Sequence, residues 1–378
     1  MTTNQIYTLV NSVTSQAIGS TALTAVDAST LVALGDTVLS STTNTEAWLS
    51  TLLQRVGKTI FAFREYRNKL ADMVVDDFTM GAILQKISFQ LVDAVSDPSY
   101  SLTDGSTVDP YKIYNPEVEQ KLFVQRTPYM MPITISRVLL KEAFLSEAAM
   151  QSFIGYIFGT VRNSIELSLE NLGRTTINNF MAEIYGTARE IKLVTLFNTE
   201  FNRGSAEGQE PALTAATAYN DPQFLRWAVG VINICSDYLT DMSEQFNDGT
   251  IPRHTPKDRQ KFKVLSLFER KLETVVQWQA FKDGYVSLNN YETMNFWQSQ
   301  ESVDKIDVNK ASAPSTEVKG SNIVGFMYDR DALGTYQKEE DVLTTPVNAA
   351  GRYYNTFYHM KQLWFNDLSE NGIIFTLN

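Results

Sequence analysis

A serine or cysteine hydrolase needs a base beside its nucleophile, and two histidines, His254 and His359, are the only usual candidates. His359 falls in an alternating aromatic stretch, where a satisfied sheet histidine is the expected reading. His254 lies in a basic, proline-punctuated loop and reads as a solvated partner of nearby charge. The single cysteine, Cys235, excludes an internal disulfide and any multi-cysteine metal site. It stands near the apolar stripe of a helix, the place of an inert, partly buried thiol. Asp76-Asp77 and Glu339-Glu340-Asp341 lack the spaced oxygen ligands of a cation loop and read as surface acids. No phosphate-cradling glycine loop, dinucleotide fingerprint or His-Glu-x-x-His pair occurs. Arg253, Lys257, Arg259, Lys261 and Lys263 could meet phosphate, but Pro252, Pro256 and the acidity of the chain favour salt bridges to another subunit. No catalytic, cofactor-binding or metal-ligating residue is assigned, so by elimination the chain reads as a structural protein and not an enzyme.

Composition agrees with that reading. Lys and Arg number 32 against 43 Asp and Glu, a net charge of −11, which keeps a chain soluble and disfavours an extended nucleic-acid-binding surface. A hydrophobic content of 43% and an aromatic content of 11% mark a folded protein, and 378 residues suffice for two or three core-forming units. The N-terminus has neither a basic n-region nor a sustained apolar core, so folding in a cytosol is expected.

The elements that would position any surface centre on residues 146–186. Met150, Phe153, Ile154, Ile157, Phe158, Val161, Ile165, Leu169, Leu172, Ile177, Phe180, Met181 and Ile184 recur in steps that hold one helical stripe. Ser146 can cap the first amides, Glu147 suits the positive end, and Gly186 can take the left-handed stop. Such a helix is a rod of roughly 60 Å. Arg162, Glu166, Glu170 and Arg174 exclude a membrane span, and the stripe is too wide and aromatic for a coiled-coil seam. A spine laid on a sheet remains, with its charged edge turned to neighbours or to an interior. Gly155 and Gly159 mark two places where another backbone could approach closely.

Residues 1–44 contain no Lys or Arg and are too polar and small to make their own core. They read as an arm resting on something else or as a disordered leader, with a short helix over Ser29 to Leu39. Thr45 then begins an amphipathic helix with Trp48, Leu49, Leu52, Leu53 and Val56, stopped by Gly57. Ile87, Phe89 and Leu91 alternate with Lys86, Ser88 and Gln90, and Val118 to Arg126 return beyond a turn-rich tip. Paired, they form a two-stranded arm, marginal in water alone, that must lie on a neighbour. Ile133 to Ser136 make a further strand.

Past Gly186, residues 202–219 read as a loop. Asp221 and Pro222 open a helix running to Asp248-Gly249, and Val264 to Leu267 leads into another helix containing Phe281. Residues 298–320 read as an exposed loop and Ile323 to Met327 as a buried strand. Tyr353 to Gln362 and Gly372 to Leu377 are terminal strands, expected to share one sheet beneath the spine.

This order of parts is specific. The returning hairpin strand carries Glu119-Gln120-Lys121-Leu122-Phe123, and the terminal strand carries Gly351-x-Tyr353-x-Asn355-x-x-Tyr358-His359-x-x-Gln362. On these features the chain resembles the major capsid proteins of tailed double-stranded-DNA bacteriophages, the Hong Kong 97-like fold, and among them those of small short-tailed podoviruses that infect Bacillus. The resemblance implies an α+β fold divided as follows: an N-terminal arm and helix (1–57), an E-loop hairpin with flanking strands (58–142), the spine helix of a peripheral domain (143–190), an axial domain (191–330) and the terminal strands of the peripheral domain (331–378). It further implies self-assembly into hexamers and pentamers of an icosahedral shell around packaged DNA, within a virion assembled in the host cytoplasm. The implied partners are a scaffolding protein, a portal protein at one vertex and DNA in weak non-specific contact, with no membrane and no cofactor. An encapsulin-like shell around an enzyme cargo is the alternative reading of the same fold.

Overall fold

The computed structural model describes residues 3–19, 24–54, 66–74, 84–92, 94–105, 107–111, 113, 118–123, 126–249, 251–276 and 291–378. Three helices come first, α1 (Thr3–Ile18), α2 (Ala28–Leu39) and α3 (Thr42–Gln54). Asp27 starts α2 by accepting the Thr30 amide at 2.8 Å, while the Asp27 amide donates to the Thr30 hydroxyl at 2.9 Å. Strands β1 (Leu84–Phe89) and β2 (Val118–Phe123) form an antiparallel ribbon. Strand β3 (Arg126–Ser136) runs into the short α4 (Arg137–Ala143) and then into α5 (Glu147–Ile184), which has 38 residues. The Ser146 hydroxyl accepts the Ala149 amide at 3.2 Å, and Gly186 has φ of 77°, so the spine stops at both expected ends.

Next come β4 (Glu190–Lys192), α6 (Leu193–Glu200), α7 (Ala215–Ala218) and α8 (Pro222–Tyr238). Strand β5 (Gln260–Leu265), helix α9 (Ser266–Lys271) and β6 (Tyr291–Met294) follow. The hairpin of β7 (Ile306–Asn309) and β8 (Glu317–Gly320) precedes β9 (Ile323–Asp329), β10 (Leu333–Thr344), β11 (Tyr353–Asn366) and β12 (Gly372–Thr376).

The chain divides into two compact units. The first holds Met1–Val74, Gln125–Gly173 and Thr335–Leu363. Its sheet has the order β10-β11-β3, and β11 pairs antiparallel with β3 from Tyr353 opposite Ser136 to Leu363 opposite Arg126. Tyr354, Thr356, Tyr358, Met360 and Gln362 alternate inward along β11, as the period of a strand requires. Of these, Tyr354, Tyr358 and Met360 meet Met150, Phe153, Ile154, Ile157 and Val161 of α5 in one core. The described residues of α1 and α2 complete that core. Ile6, Val10 and Val13 of α1 and Leu31, Leu34 and Val38 of α2 pack into it beside Trp48, whose indole donates to Thr14 Oγ1 at 3.0 Å. A stripe this thin cannot build a core alone, but it can close one whose other walls lie far away in sequence. Gly35 permits the closest contact there, since a Cβ would stand 2.5 Å from Phe144 Cβ. Among the described residues nothing lies within 4 Å of such a Cβ at Gly159.

The second unit holds Val75–Val124, Arg174–Gly334 and Trp364–Asn378. Its five-stranded mixed sheet has the order β4-β12-β9-β5-β6. Every residue of β9 and β12 is buried, as strands covered on both faces must be. Leu225, Ala228, Val229 and Ile232 of α8 and Phe197 of α6 join Phe262, Val264, Val324 and Phe375 of the sheet in one cluster. Phe180, near the end of α5, packs 5.4 Å from Phe326 on β9. The terminal strands β11 and β12 thus belong to different sheets, and the spine has two floors and not one.

Two local expectations are corrected as well. Helix α8 ends at Tyr238 although Leu239 and Phe246 remain buried beyond it, so apolar spacing outlasts the helix. Residues 298–320 contain the β7–β8 hairpin. The expected Gly57 stop, the Asp76-Asp77 pair and Phe281 lie outside the described residues.

If residues 3–18 are core, Ile6→Ala should cost about 2–5 kcal/mol in urea unfolding of the first unit. An unshifted transition would return the segment to the status of an arm.

Candidate assembly surface

The charged edge of α5, expected to face neighbours, is satisfied inside the chain. In the first unit Glu170 is buried and accepts the Tyr66 hydroxyl and, at 3.4 Å, the Lys69 amide. Glu166 accepts the Asn68 amide at 3.2 Å, and Asn163 accepts the Tyr66 amide at 3.0 Å. In the second unit the buried Arg174 donates to the Phe296 carbonyl at 2.6 Å and lies 4.0 Å over that ring. A carboxylate or guanidinium can be buried only with such partners, and they come from segments remote in sequence.

Four of the five cations of the basic cluster are paired within their own unit. Lys257 meets Asp237 at 2.6 Å, Arg259 meets Asp329 at 3.6 Å and also Asp331, and Lys263 meets Glu292. Arg253 donates to Ser88 Oγ at 2.6 Å and lies 3.7 Å from Glu370.

That last contact leads to the β1–β2 ribbon. The ribbon belongs to no larger sheet. Its register sets Lys86 directly opposite Lys121, a like-charge pair that destabilises a ladder unless an anion joins it. Asp367 supplies the anion: one carboxylate oxygen is 2.6 Å from Lys86 Nζ and the other 3.2 Å from Lys121 Nζ. Glu370 adds a second contact to Lys86 at 2.6 Å. The Ser369 hydroxyl donates to Asp367 at 2.6 Å, and the Asp367 amide donates to the Ala332 carbonyl at 2.7 Å. Burial alone would push the Asp367 carboxyl up, but the Lys86 ammonium and its hydrogen bond, the Ser369 hydroxyl and Lys121 hold it below the usual carboxylate range.

The ribbon therefore presents its polar face, Lys86, Ser88, Glu119 and Lys121, to its own unit. Its other face carries Ile87, Phe89, Val118 and Leu122, all between 51% and 66% exposed. The usual order of a surface hairpin is inverted. The apolar exposure continues along the tip, where Tyr100 is 93%, Tyr111 86% and Ile113 80% exposed.

Among the described residues the candidates for chemistry do not come together. His254 is exposed, and His359 stands on β11 opposite Met130. Cys235 is buried, and burial pushes its thiol up to about 11, the state of an inert group. Asp341 is exposed on β10. Among the described residues no group of three or more His, Cys, Asp or Glu could hold a metal ion, and no helix is long and apolar enough to cross a membrane.

The mixed α+β fold is that of phage capsid chains. A chain from the capsid structure of Staphylococcus phage Andhra aligns with 10% identity and a TM-score of 0.51, covering 85% of this chain and 87% of that one. One from the structure of the head fiber and inner core protein gp22 of native bacteriophage P68 aligns with 9% identity and a TM-score of 0.54, with coverage of 85% and 87%. A search of curated proteins gave no match. The model of the Phi29-like phage major capsid protein family matches residues 8–376, and the chain belongs to that family. It is a phage capsid shell protein and part of the virion capsid.

Removing Asp367 leaves two opposed lysines without their anion, so Asp367→Ala should weaken the docking of the ribbon by about 3–5 kcal/mol. The measurement is limited proteolysis at Lys86 and Lys121 compared with the melting of the whole chain, and equal rates in variant and parent would sink the assignment. The pH dependence has a definite sign. A carboxyl held down in the fold stabilises it above the ordinary value of 3.8, and that contribution is lost as the pH falls through the lower folded value. Ribbon cleavage in the parent should therefore rise below pH 3.8, while Asp367→Ala should show no such step.

Proposed function

We propose that the ribbon and its tip act as an E-loop, lying over an adjacent copy of the chain and joining subunits into hexamers and pentamers. One observation carries this reading: the ribbon spends its charges on its own unit and turns its apolar face outward. A contiguous apolar face of that kind is a surface awaiting a partner. In a protein that builds a closed shell, the partner in greatest supply is another copy. The subunit then does mechanical and not catalytic work. The shell encloses double-stranded DNA, and a net charge of −11 suits a wall that touches packaged DNA only weakly. Membership of the phage family favours a genome-enclosing shell over an encapsulin-like compartment.

In this reading residues 143–190 and 331–378 serve the peripheral domain and residues 191–330 the axial domain. A scaffolding protein guides closure and a portal protein occupies one vertex. Deleting residues 96–116 should leave a soluble subunit with an unchanged melting profile that forms few shells, counted by electron microscopy and sedimentation. Shells at the parent's yield would remove the E-loop role.

A further inference from the structure

The tip of the ribbon is apolar and acidic together. Between positions 90 and 113 the sequence carries Asp93, Asp97, Asp104 and Asp109 against a single cation, Lys112. Asp97, Asp104 and Asp109 are exposed, as are Leu102, Tyr100, Tyr111 and Ile113. A complementary surface must offer exposed apolar side chains among cations that have no anion of their own.

Helix α4 and the residues around it have both properties. Helix α4 and the residues after it expose Val138, Leu139 and Leu145. Lys141 is exposed on the same helix, and the exposed Arg352 is tied to it through its carbonyl, which accepts the Arg137 amide at 2.9 Å. The Arg137 side chain donates to the Leu39 carbonyl at 3.1 Å, and among the described residues Arg137, Lys141 and Arg352 have no carboxylate partner. Glu142 is the only acid of α4, so the patch carries an excess of positive charge. Arg253, Lys257, Arg259 and Lys263 are, by contrast, held by carboxylates of their own unit.

We propose that the ribbon tip of one subunit docks on the α4 patch of a second copy, Tyr100, Tyr111 and Ile113 covering Val138, Leu139 and Leu145 while Asp104 and Asp109 meet Lys141 and Arg352. This rests on the reading of the ribbon as an intersubunit arm and names the surface that receives it. Apolar cover supplies the contact, and the opposed charges set its register and exclude the acidic remainder of the subunit.

A charge swap in the full-length chain tests the pairing. Lys141→Glu with Arg352→Glu should lower shell yield several-fold, and so should Asp104→Lys with Asp109→Lys. The chain carrying all four changes should recover most of the parent's yield, because only the pairing is restored. A quadruple variant no better than the doubles overturns the proposal, as does a parent-like yield from the Glu pair. If a double variant melts early and fails to fold, a second measurement decides. Tyr111→Cys with Leu139→Cys should give disulfide-linked oligomers on oxidation, free of interference because Cys235 is buried. Absence of linkage in formed shells also overturns the docking site. Deletion of residues 96–116 separates the two levels: shells from the deletion remove the arm itself, whereas no shells from the deletion and no cysteine linkage remove only the α4 patch.

Discussion

Two ammonium groups stand face to face across the β1–β2 ladder, and the ribbon exists in its observed place because a carboxylate stands between them. Lys86 and Lys121 would repel each other at that register, and a lone two-stranded ribbon is marginal in water even without repulsion. Asp367 reverses the balance by giving one oxygen to each lysine. Its position is set by the end of β11 and the start of β12, which leave only residues 367–371 between them. Because β12 is a fully buried inner strand of the five-stranded sheet, the anion is delivered from the interior of its unit. An ionic root of this kind fixes the ribbon without drawing on its apolar face, and that face stays available.

The spine shows the same economy of charge. Along residues 147–165 of α5 one stripe faces a core built with α1, α2, α3 and the β10-β11-β3 sheet. From residue 174 onward Arg174, Thr176, Ile177, Asn178, Phe180, Met181, Ala182 and Ile184 are all buried. Donors on a helix enclosed on most sides need partners, and the Arg174 guanidinium and the Asn178 side-chain NH2 donate to the carbonyls of Phe296 and Trp297. The stripe was visible as a period of residues. The enclosure was not, because Arg174 reads as solvent-facing until the Phe296 ring and carbonyl are placed over it.

Period and capping chemistry were therefore the legible part of this chain. Ser146, Gly186, Asp221 and Pro222 bound their helices as local rules require. The alternation in β1 and β2 was equally plain, since it needs only a period of two. What alternation cannot reveal is which face points home. Ile87 and Phe89 would be assigned to a core by composition alone, and only the remote Asp367, Glu370 and Arg253 explain why Lys86 and Ser88 take that side. The same long-range dependence hid the role of α1, whose Val10 and Val13 make a stripe too thin to announce itself. It also hid the partners of Lys257, Arg259 and Lys263, which look unpaired until Asp237, Asp329 and Glu292 are brought beside them.

A subunit that must stay soluble before assembly and adhere afterwards faces opposing demands on one surface. An exposed face of Ile, Phe, Val and Leu is an aggregation hazard when it accompanies an unpaired strand edge. Here the apolar positions of the ribbon and tip are accompanied by Asp97, Asp104 and Asp109, in a chain whose net charge is −11. Tip against tip is therefore a like-charge encounter, which works against random clustering of free subunits. A receiving surface must bring cations to its apolar residues, and this requirement makes acidic patches poor partners even where they are apolar enough. The charge of the chain and the inverted face of its ribbon thus act together: one makes association strong, and the other makes it selective.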